Sequence, residues 1–348
     1  MKIVSSTGHG FTGSTAITDL LSEYSCIQSC SVPSYELKFF HDPQGILYLY
    51  NNIVQSKIPS AKNVAVNQFY DKCVGWANEG TKMNYEKFFH GHFLEATDRY
   101  LTKMGGDKFC YVYDYSHMNR IQRFATRLIN KKNAIISSMF VTKKYGENHV
   151  KPSVRYAEKR RAYMYYIDRE QFCKLTKEYF NELFGQIADK EYFNIHELIP
   201  NHMIDECSLF FDDLYIIRTD RDPRDVYLNA KYKAETVDFP VYDVKVFCNY
   251  YRYTRELLKE ALKKEQKKEV LFVQFEDLVY KYEETVARIE RFLNIASETH
   301  VRAKTRFIPE LSVKNCNLKQ EYAEVERDNI QYIERELKEW IYDFDSIL

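Results

Sequence analysis

Two stretches far apart in the chain carry residues suited to holding an anion. The first reads Gly8-His9-Gly10-Phe11-Thr12-Gly13-Ser14-Thr15. Glycines let a backbone turn tightly, so that successive N–H groups point inward at one anion. A helix beginning at Ser14 adds its partial positive charge, and Thr12, Ser14 and Thr15 add hydroxyl donors. The spacing is close to G-x-x-x-x-G-K-[ST], but Ser14 stands where that motif places the lysine that reaches the β- and γ-phosphates. This counts against ATP or GTP hydrolysis. The second stretch runs Leu214-Tyr215-Ile216-Ile217-Arg218-Thr219-Asp220-Arg221-Asp222-Pro223-Arg224-Asp225. Arg221 falls where an apolar strand gives way to a polar turn, and its planar fork suits phosphate oxygens. Pro223 suits the first turn of a helix. Asn229 then lies about two turns into that helix and offers a further polar contact. Asp222, Arg224 and Asp225 read as an ion-pair network at the helix start.

The elements that must position these groups are legible from hydrophobic periodicity. Residues 2–5 form a short apolar strand, 6–13 a loop, and 14–24 a helix whose Ala16, Ile17, Leu20 and Leu21 share a face. Further buried strands are expected at 109–113, 134–139, 214–218 and 270–275, separated by helix-like sequence. Residues 276–294 and the last segment, with Ile330, Ile333, Leu337, Trp340, Ile341 and Phe344, show helical spacing. Such alternation predicts an α/β fold, a P-loop-like three-layer sandwich with a central, mostly parallel sheet flanked by helices. One domain spanning 1–348 is expected, with a helical insertion around 142–190. That insertion opens with Lys143, Lys144, Lys151, Arg155, Lys159, Arg160 and Arg161 interleaved with Tyr145, Tyr156 and Tyr163. It reads as a lid or an acceptor-binding surface.

Composition narrows the functional classes. The 348 residues are 45% hydrophobic and 29% charged, a globular composition. Fifty Lys and Arg balance fifty Asp and Glu, so a bulk nucleic-acid binder is excluded, though a local basic cleft is not. No apolar run approaches the roughly 18–20 residues that span a bilayer. The N-terminus does not read as a signal peptide, and a cytoplasmic protein is expected. The cysteines read as reduced, since Cys26 and Cys30 have no second close pair to complete a zinc site. His90 and His92 have no spaced third ligand, and no metal is expected. His196 and Glu197 precede the Arg221 strand and are expected at an acceptor cleft.

The strand–loop–helix at Gly8 to Thr15 and the Arg221 turn together resemble the sulfotransferases that use 3′-phosphoadenosine 5′-phosphosulfate (PAPS). Two further stretches match in order: Val270 to Leu278 with its Glu276-Asp277-Leu278, and Ser312-Val313-Lys314-Asn315 before the last helix. The resemblance implies that the N-terminal loop holds the 5′-phosphosulfate and that Arg221 holds the 3′-phosphate. Asn229 replaces the family's serine. It further implies that Ser312, Lys314 and Asn315 close over the donor. Ser34 to Phe40 resembles the E-x-H-F-F stretch of heparan-sulfate-type sulfotransferases, which maps the general base onto Glu36 and places Lys38 at the histidine. The chain departs from the family at Phe11, where a Lys or Arg normally stabilises the leaving oxygen. Lys38 or His9 is expected to supply that cation.

The implied activity is transfer of a sulfuryl group from PAPS to a carbohydrate hydroxyl, yielding adenosine 3′,5′-bisphosphate. The acceptor class implied is a bacterial surface polysaccharide or its lipid- or nucleotide-linked precursor, with peripheral association with lipid-linked glycan machinery. Two alternatives stand beside it. One is a P-loop kinase or NTPase with a degenerate loop, in which Asp220 or Asp222 would hold magnesium. The other is an inactive nucleotide-binding protein of the same fold, for which Phe11 argues.

Overall fold

The computed structural model describes residues 1–30, 36–78, 84–107, 120–145, 163–234, 239–263 and 270–347. At its centre is a parallel sheet of five strands, β1 (Lys2–Gly8), β2 (Ile27–Ser29), β3 (Tyr192–His196), β4 (Leu214–Asp220) and β5 (Val270–Gln274). They lie in the order β2-β3-β1-β4-β5. The first strand therefore sits in the middle, and the chain crosses over it to reach β4.

Period-two alternation sends side chains to both faces. Ile3, Phe193, Ile195 and Ile216 enter one core, while Val4, Tyr192, Ile217 and Val273 enter the other. Sheets buried on both faces must be covered on both faces, and the three-layer expectation holds. The first face is covered by α2 (Pro59–Asn78), α3 (Phe93–Met104) and α5 (Arg169–Gly185), with α4 (Arg120–Tyr145) between the last two in sequence. The other is covered by α1 (Ser14–Leu21), α8 (Phe275–Tyr280) and α9 (Tyr282–Leu293). A third cluster joins α6 (Pro223–Leu228), α7 (Val244–Lys263) and α10 (Arg327–Glu336).

Much of the aromatic content packs the first core. Phe39, Trp76, Tyr85, Phe93, Tyr179 and Phe180 meet there at centroid distances of 5–6 Å. Helices α2, α3 and α5 between β2 and β3 thus form a packed layer, to which α5, inside the 142–190 region, contributes Phe172, Tyr179, Phe180 and Phe184.

Some boundaries differ from expectation. β1 runs three residues further, to Gly8, because its polar hydroxyls are satisfied internally. Ser6 Oγ pairs with Thr18 Oγ1 at 2.7 Å, and Thr7 Oγ1 donates to the Ile199 carbonyl at 2.8 Å. The 276–294 helix is two helices broken at Lys281. Residues 134–139, expected as a buried strand, lie inside α4 with Ile135, Ile136 and Met139 exposed. The expected strand at 109–113 lies outside the described residues.

Candidate functional site

The carboxyl ends of β1, β3, β4 and β5 meet at one edge of the sheet, where α/β folds bind ligands. Register brings Ser6 opposite His196, Gly8 opposite Thr219, and Asp220 opposite Gln274. The 8–15 loop leaves β1 there. A Cβ on Gly8 would sit 2.3 Å from Thr12 Oγ1 and 2.7 Å from Thr219 Oγ1. Thr12 is buried and clamps the loop, its N–H and hydroxyl both donating to the His9 carbonyl at 3.1 and 2.7 Å. Gly13 caps α1 with φ +96°, and a Cβ there would meet Phe275 Cδ2 at 2.4 Å. Both conditions require glycine.

Arg221 crosses from β4 to this loop. Its Nη1 donates to the Phe11 carbonyl at 3.0 Å and its Nη2 to the Asn315 carbonyl. The guanidinium lies 5.1 Å from the Phe275 ring centroid, and its buried Nε has no partner. Nearby Arg218 and Arg255 pair with Asp220, and Arg224 pairs with Asp222. Among the described residues Arg221 has no carboxylate partner, so its charge is held against neutral carbonyls beside a cavity.

That cavity measures about 350 Å³ and is lined by Phe11, Gly13 and Thr15 from the loop, by Arg221 and Asn229, and by Ser312 and Asn315. Three segments remote in sequence thus converge on one cavity. The structure adds Asp19, Phe275, Arg306 and Phe307 to the lining. Arg306 and Phe307 are placed by Glu23, a fully buried carboxylate at the end of α1. It accepts from the Arg306 and Phe307 N–H groups at 2.7 and 2.9 Å, from the Lys304 N–H at 3.1 Å, and contacts His300 Nε2 at 2.7 Å. The sequence signals for these residues are modest: Asp19 follows Thr15 by one helical turn, and Phe275 directly follows a sheet strand. Gly10 and Lys314 are exposed and lie off the lining.

Beyond the loop lies a second group. Ser14 Oγ is 3.0 Å from His196 Nε2, and His196 Nδ1 is 3.9 Å from the exposed Glu36 carboxylate. Burial lowers the His196 pKa, and the imidazole is neutral at pH 7. Glu197 accepts from Thr7 Oγ1 at 2.9 Å and the Gly8 N–H at 3.1 Å. Burial pushes its pKa up to about 7 against those hydrogen bonds. His196 and Glu197 therefore lie beside Glu36 at the loop's far flank.

His9 does not serve as the expected cation. Burial, with Arg255 and Arg218 close by, pushes its pKa down to about 2, and its Nε2 is buried without a partner. A neutral imidazole cannot offset developing negative charge. Burial alone would raise the Asp220 pKa, but Arg255 and Arg218 hold it at about 2. Asp222 is taken up by Arg224 and by the Tyr342 N–H. Both candidate magnesium ligands are thus committed to guanidinium partners.

Phe11 has a structural role: its ring meets Phe239 edge-on at 5.2 Å while its carbonyl receives Arg221. Lys38 is half-buried in the turn after Glu36, its N–H donating to the Tyr85 hydroxyl at 2.5 Å. Among the described residues its ammonium makes no ion pair or hydrogen bond. Phe39 and Phe40 are core residues. Lys159, Arg160 and Arg161 lie outside the described residues. The seven described cysteines form no disulfide, and no described cluster of three or more His, Cys, Asp or Glu could hold a metal.

Residues 7–299 match the sequence profile described as the Sulfotransferase family. No curated protein sequence matches the chain. Among solved structures it is similar to the sulfotransferase domain of the Synechococcus PCC 7002 olefin synthase, at 12% identity over 88% of this chain and 78% of that one, with a TM-score of 0.40. It is also similar to sulfotransferase STF1 from Mycobacterium tuberculosis H37Rv, at 13% identity over 91% and 76%, with a TM-score of 0.36. Sulfotransferase STF9 from Mycobacterium avium is similar at 13% identity over 86% and 66%, with a TM-score of 0.33.

Proposed function

Because the chain belongs to the sulfotransferase family, we propose that it transfers a sulfuryl group from PAPS to a hydroxyl of a carbohydrate. The observation that carries the donor assignment is Arg221. A buried guanidinium that forms no ion pair among the described residues, with an unpartnered Nε and a cavity beside it, suits a phosphate. Asn229, Ser312 and Asn315 line the same cavity, and Phe275 and Phe307 offer rings for a base. When bound, the donor supplies a sulfuryl group already activated by a phosphate leaving group.

The chain's residues would then act as follows. Backbone N–H groups of the loop and the start of α1 hold the anion at the helix N-terminus. Ser14, oriented by His196, presents its hydroxyl to the same place. Glu36, 3.9 Å from His196 Nδ1, takes the proton of the acceptor hydroxyl. With Phe11 in place of a cation and His9 neutral, Lys38 is the charge left in this segment to stabilise the leaving oxygen. The carbohydrate class rests on the Glu36 stretch. A cytoplasmic enzyme of this kind would modify a lipid- or nucleotide-linked precursor of a surface polysaccharide.

Calorimetry with adenosine 3′,5′-bisphosphate, with ATP as control, tests the donor site. A preference for the bisphosphate that Arg221→Ala weakens by about 10- to 100-fold is expected. Equal or tighter binding of ATP with magnesium would defeat the reading. A second reading, nucleotide binding without transfer, is favoured by Phe11 alone. Bisphosphate binding with no sulfated product from any glycan acceptor would support it.

A further inference from the structure

The helix α4 is oriented against the usual rule for a helix on a soluble domain. Its apolar residues Ile121, Phe124, Leu128, Ile135 and Met139 recur at i, i+3, i+7, i+14 and i+18, with Ile129 and Ile136 beside them. Such a stripe ordinarily faces a core. Here Ile121 is 80% exposed, Phe124 63% and Met139 68%, while the polar Thr126 is buried. By contrast, α3 and α5 turn Phe93, Tyr100, Phe172 and Phe180 into the core.

Charge is distributed as unusually. Residues 120–145 contain Arg120, Arg123, Arg127, Lys131, Lys132, Lys143 and Lys144 and no Asp or Glu, in a chain whose formal net charge is zero. Arg120, Arg127 and Lys131 lie along one flank of the apolar stripe on a helical projection, and all three are exposed. At 1.5 Å per residue the helix is ~39 Å long. No described helix is long and apolar enough to cross a membrane.

We propose that α4 is a docking surface for an anionic membrane, lying in the plane of the headgroups with its apolar stripe among the acyl chains. The cations supply the attraction to acidic headgroups, and the exposed Ile, Leu, Phe and Met residues supply the burial. A polyanion without lipid would leave the apolar stripe idle. A second copy of α4 would bring two all-positive helices together with no acid to compensate. The inference stands apart from the assignment of donor and acceptor.

The test is co-sedimentation of the full chain with vesicles of phosphatidylcholine alone or mixed with phosphatidylglycerol. Binding to the mixed vesicles, weakened by salt, is expected. A variant with Arg120→Glu, Arg127→Glu and Lys131→Glu should bind at least about 100-fold more weakly. A variant with Phe124→Ser, Leu128→Ser and Ile135→Ser should lose the fraction that resists salt. Both should keep the wild-type circular dichroism and bisphosphate affinity, because the changed residues face solvent. Wild-type protein that ignores the mixed vesicles would overturn the proposal. So would equal binding by both variants, salt-sensitive binding to an RNA oligonucleotide in place of vesicles, or a dimer abolished by the apolar variant without any vesicle binding.

Discussion

Arg221 and Arg224 stand three residues apart on one strand-to-helix turn and hold opposite kinds of partner. Arg221 donates to two main-chain carbonyls, whereas Arg224 makes a two-point contact with Asp222 at 2.9 and 2.7 Å and reaches Glu334 at 2.6 Å. The first forms no ion pair among the described residues, and the second is consumed by the fold. Arg224→Ala should therefore leave Asp222 buried and uncompensated, costing about 3–5 kcal/mol of stability. Chemical denaturation measures this. A loss of bisphosphate affinity at unchanged stability would reverse the assignment of the two arginines.

Gly13→Ala should damage both the fold and the loop. Its φ of +96° costs about 1–2 kcal/mol for a residue with a Cβ, and the clash with Phe275 adds to it. Pairing it with Phe275→Ala should relieve the clash but not the backbone strain. A melting temperature of Gly13→Ala equal to wild type would contradict this geometry.

Glu36→Gln should lower kcat by about 10²- to 10⁴-fold with bisphosphate binding unchanged. His196→Ala should lower kcat less, since it acts by orienting Ser14. Lys38→Ala should lower kcat as well if it replaces the cation lost at Phe11. Turnover intact in Glu36→Gln would remove Glu36 from the chemistry.

Stability should fall as pH rises toward 8. Glu276 is fully buried, accepting from the Asp222 N–H at 2.9 Å and Gln274 Nε2 at 2.7 Å. Burial, then the nearby Asp222 charge, pushes its pKa up to about 8. The unfolded chain loses this proton near the ordinary carboxylate value, so the folded state binds more protons in between. The native state is therefore favoured most at low pH and loses that advantage as pH rises through about 8. Glu197 at about 7 and Asp225 at about 6 act in the same direction. The neutral buried His9 and His196 act the other way at lower pH. Above about pH 7, where unfolded histidines are already neutral, melting temperatures should decline toward about pH 8, and Glu276→Gln should flatten that decline. An unchanged slope in the variant would show that Glu276 is ionised throughout.

The parts of the site that could be read from the sequence share one property: they sit where an apolar strand meets a polar turn. The Gly8 to Thr15 loop and Arg221 announce themselves because burial and polarity change abruptly there. Arg306 and Phe307 do not, because their place depends on Glu23, a single buried carboxylate nearly three hundred residues away in sequence. The strand expected at 134–139 failed for the opposite reason. The run Ala134-Ile135-Ile136 has local strand preference, but it belongs to a 26-residue helix whose period shows only over a longer window. His9 was misjudged because its neighbours Arg218 and Arg255 reach it only through the sheet and α7.

The place of β1 has a bearing on synthesis. Lys2 pairs with Tyr192, and their side chains hydrogen-bond across 190 residues. Both sheet neighbours of β1 are downstream of the whole helical layer. At about 5–20 residues per second, the ribosome takes roughly 10–40 s to deliver β3 after β1 has emerged. For that interval β1 presents two open edges with no native strand to take them up. A nascent chain of this topology is a natural client for chaperones, and truncations that end before β3 should aggregate instead of forming a smaller sheet.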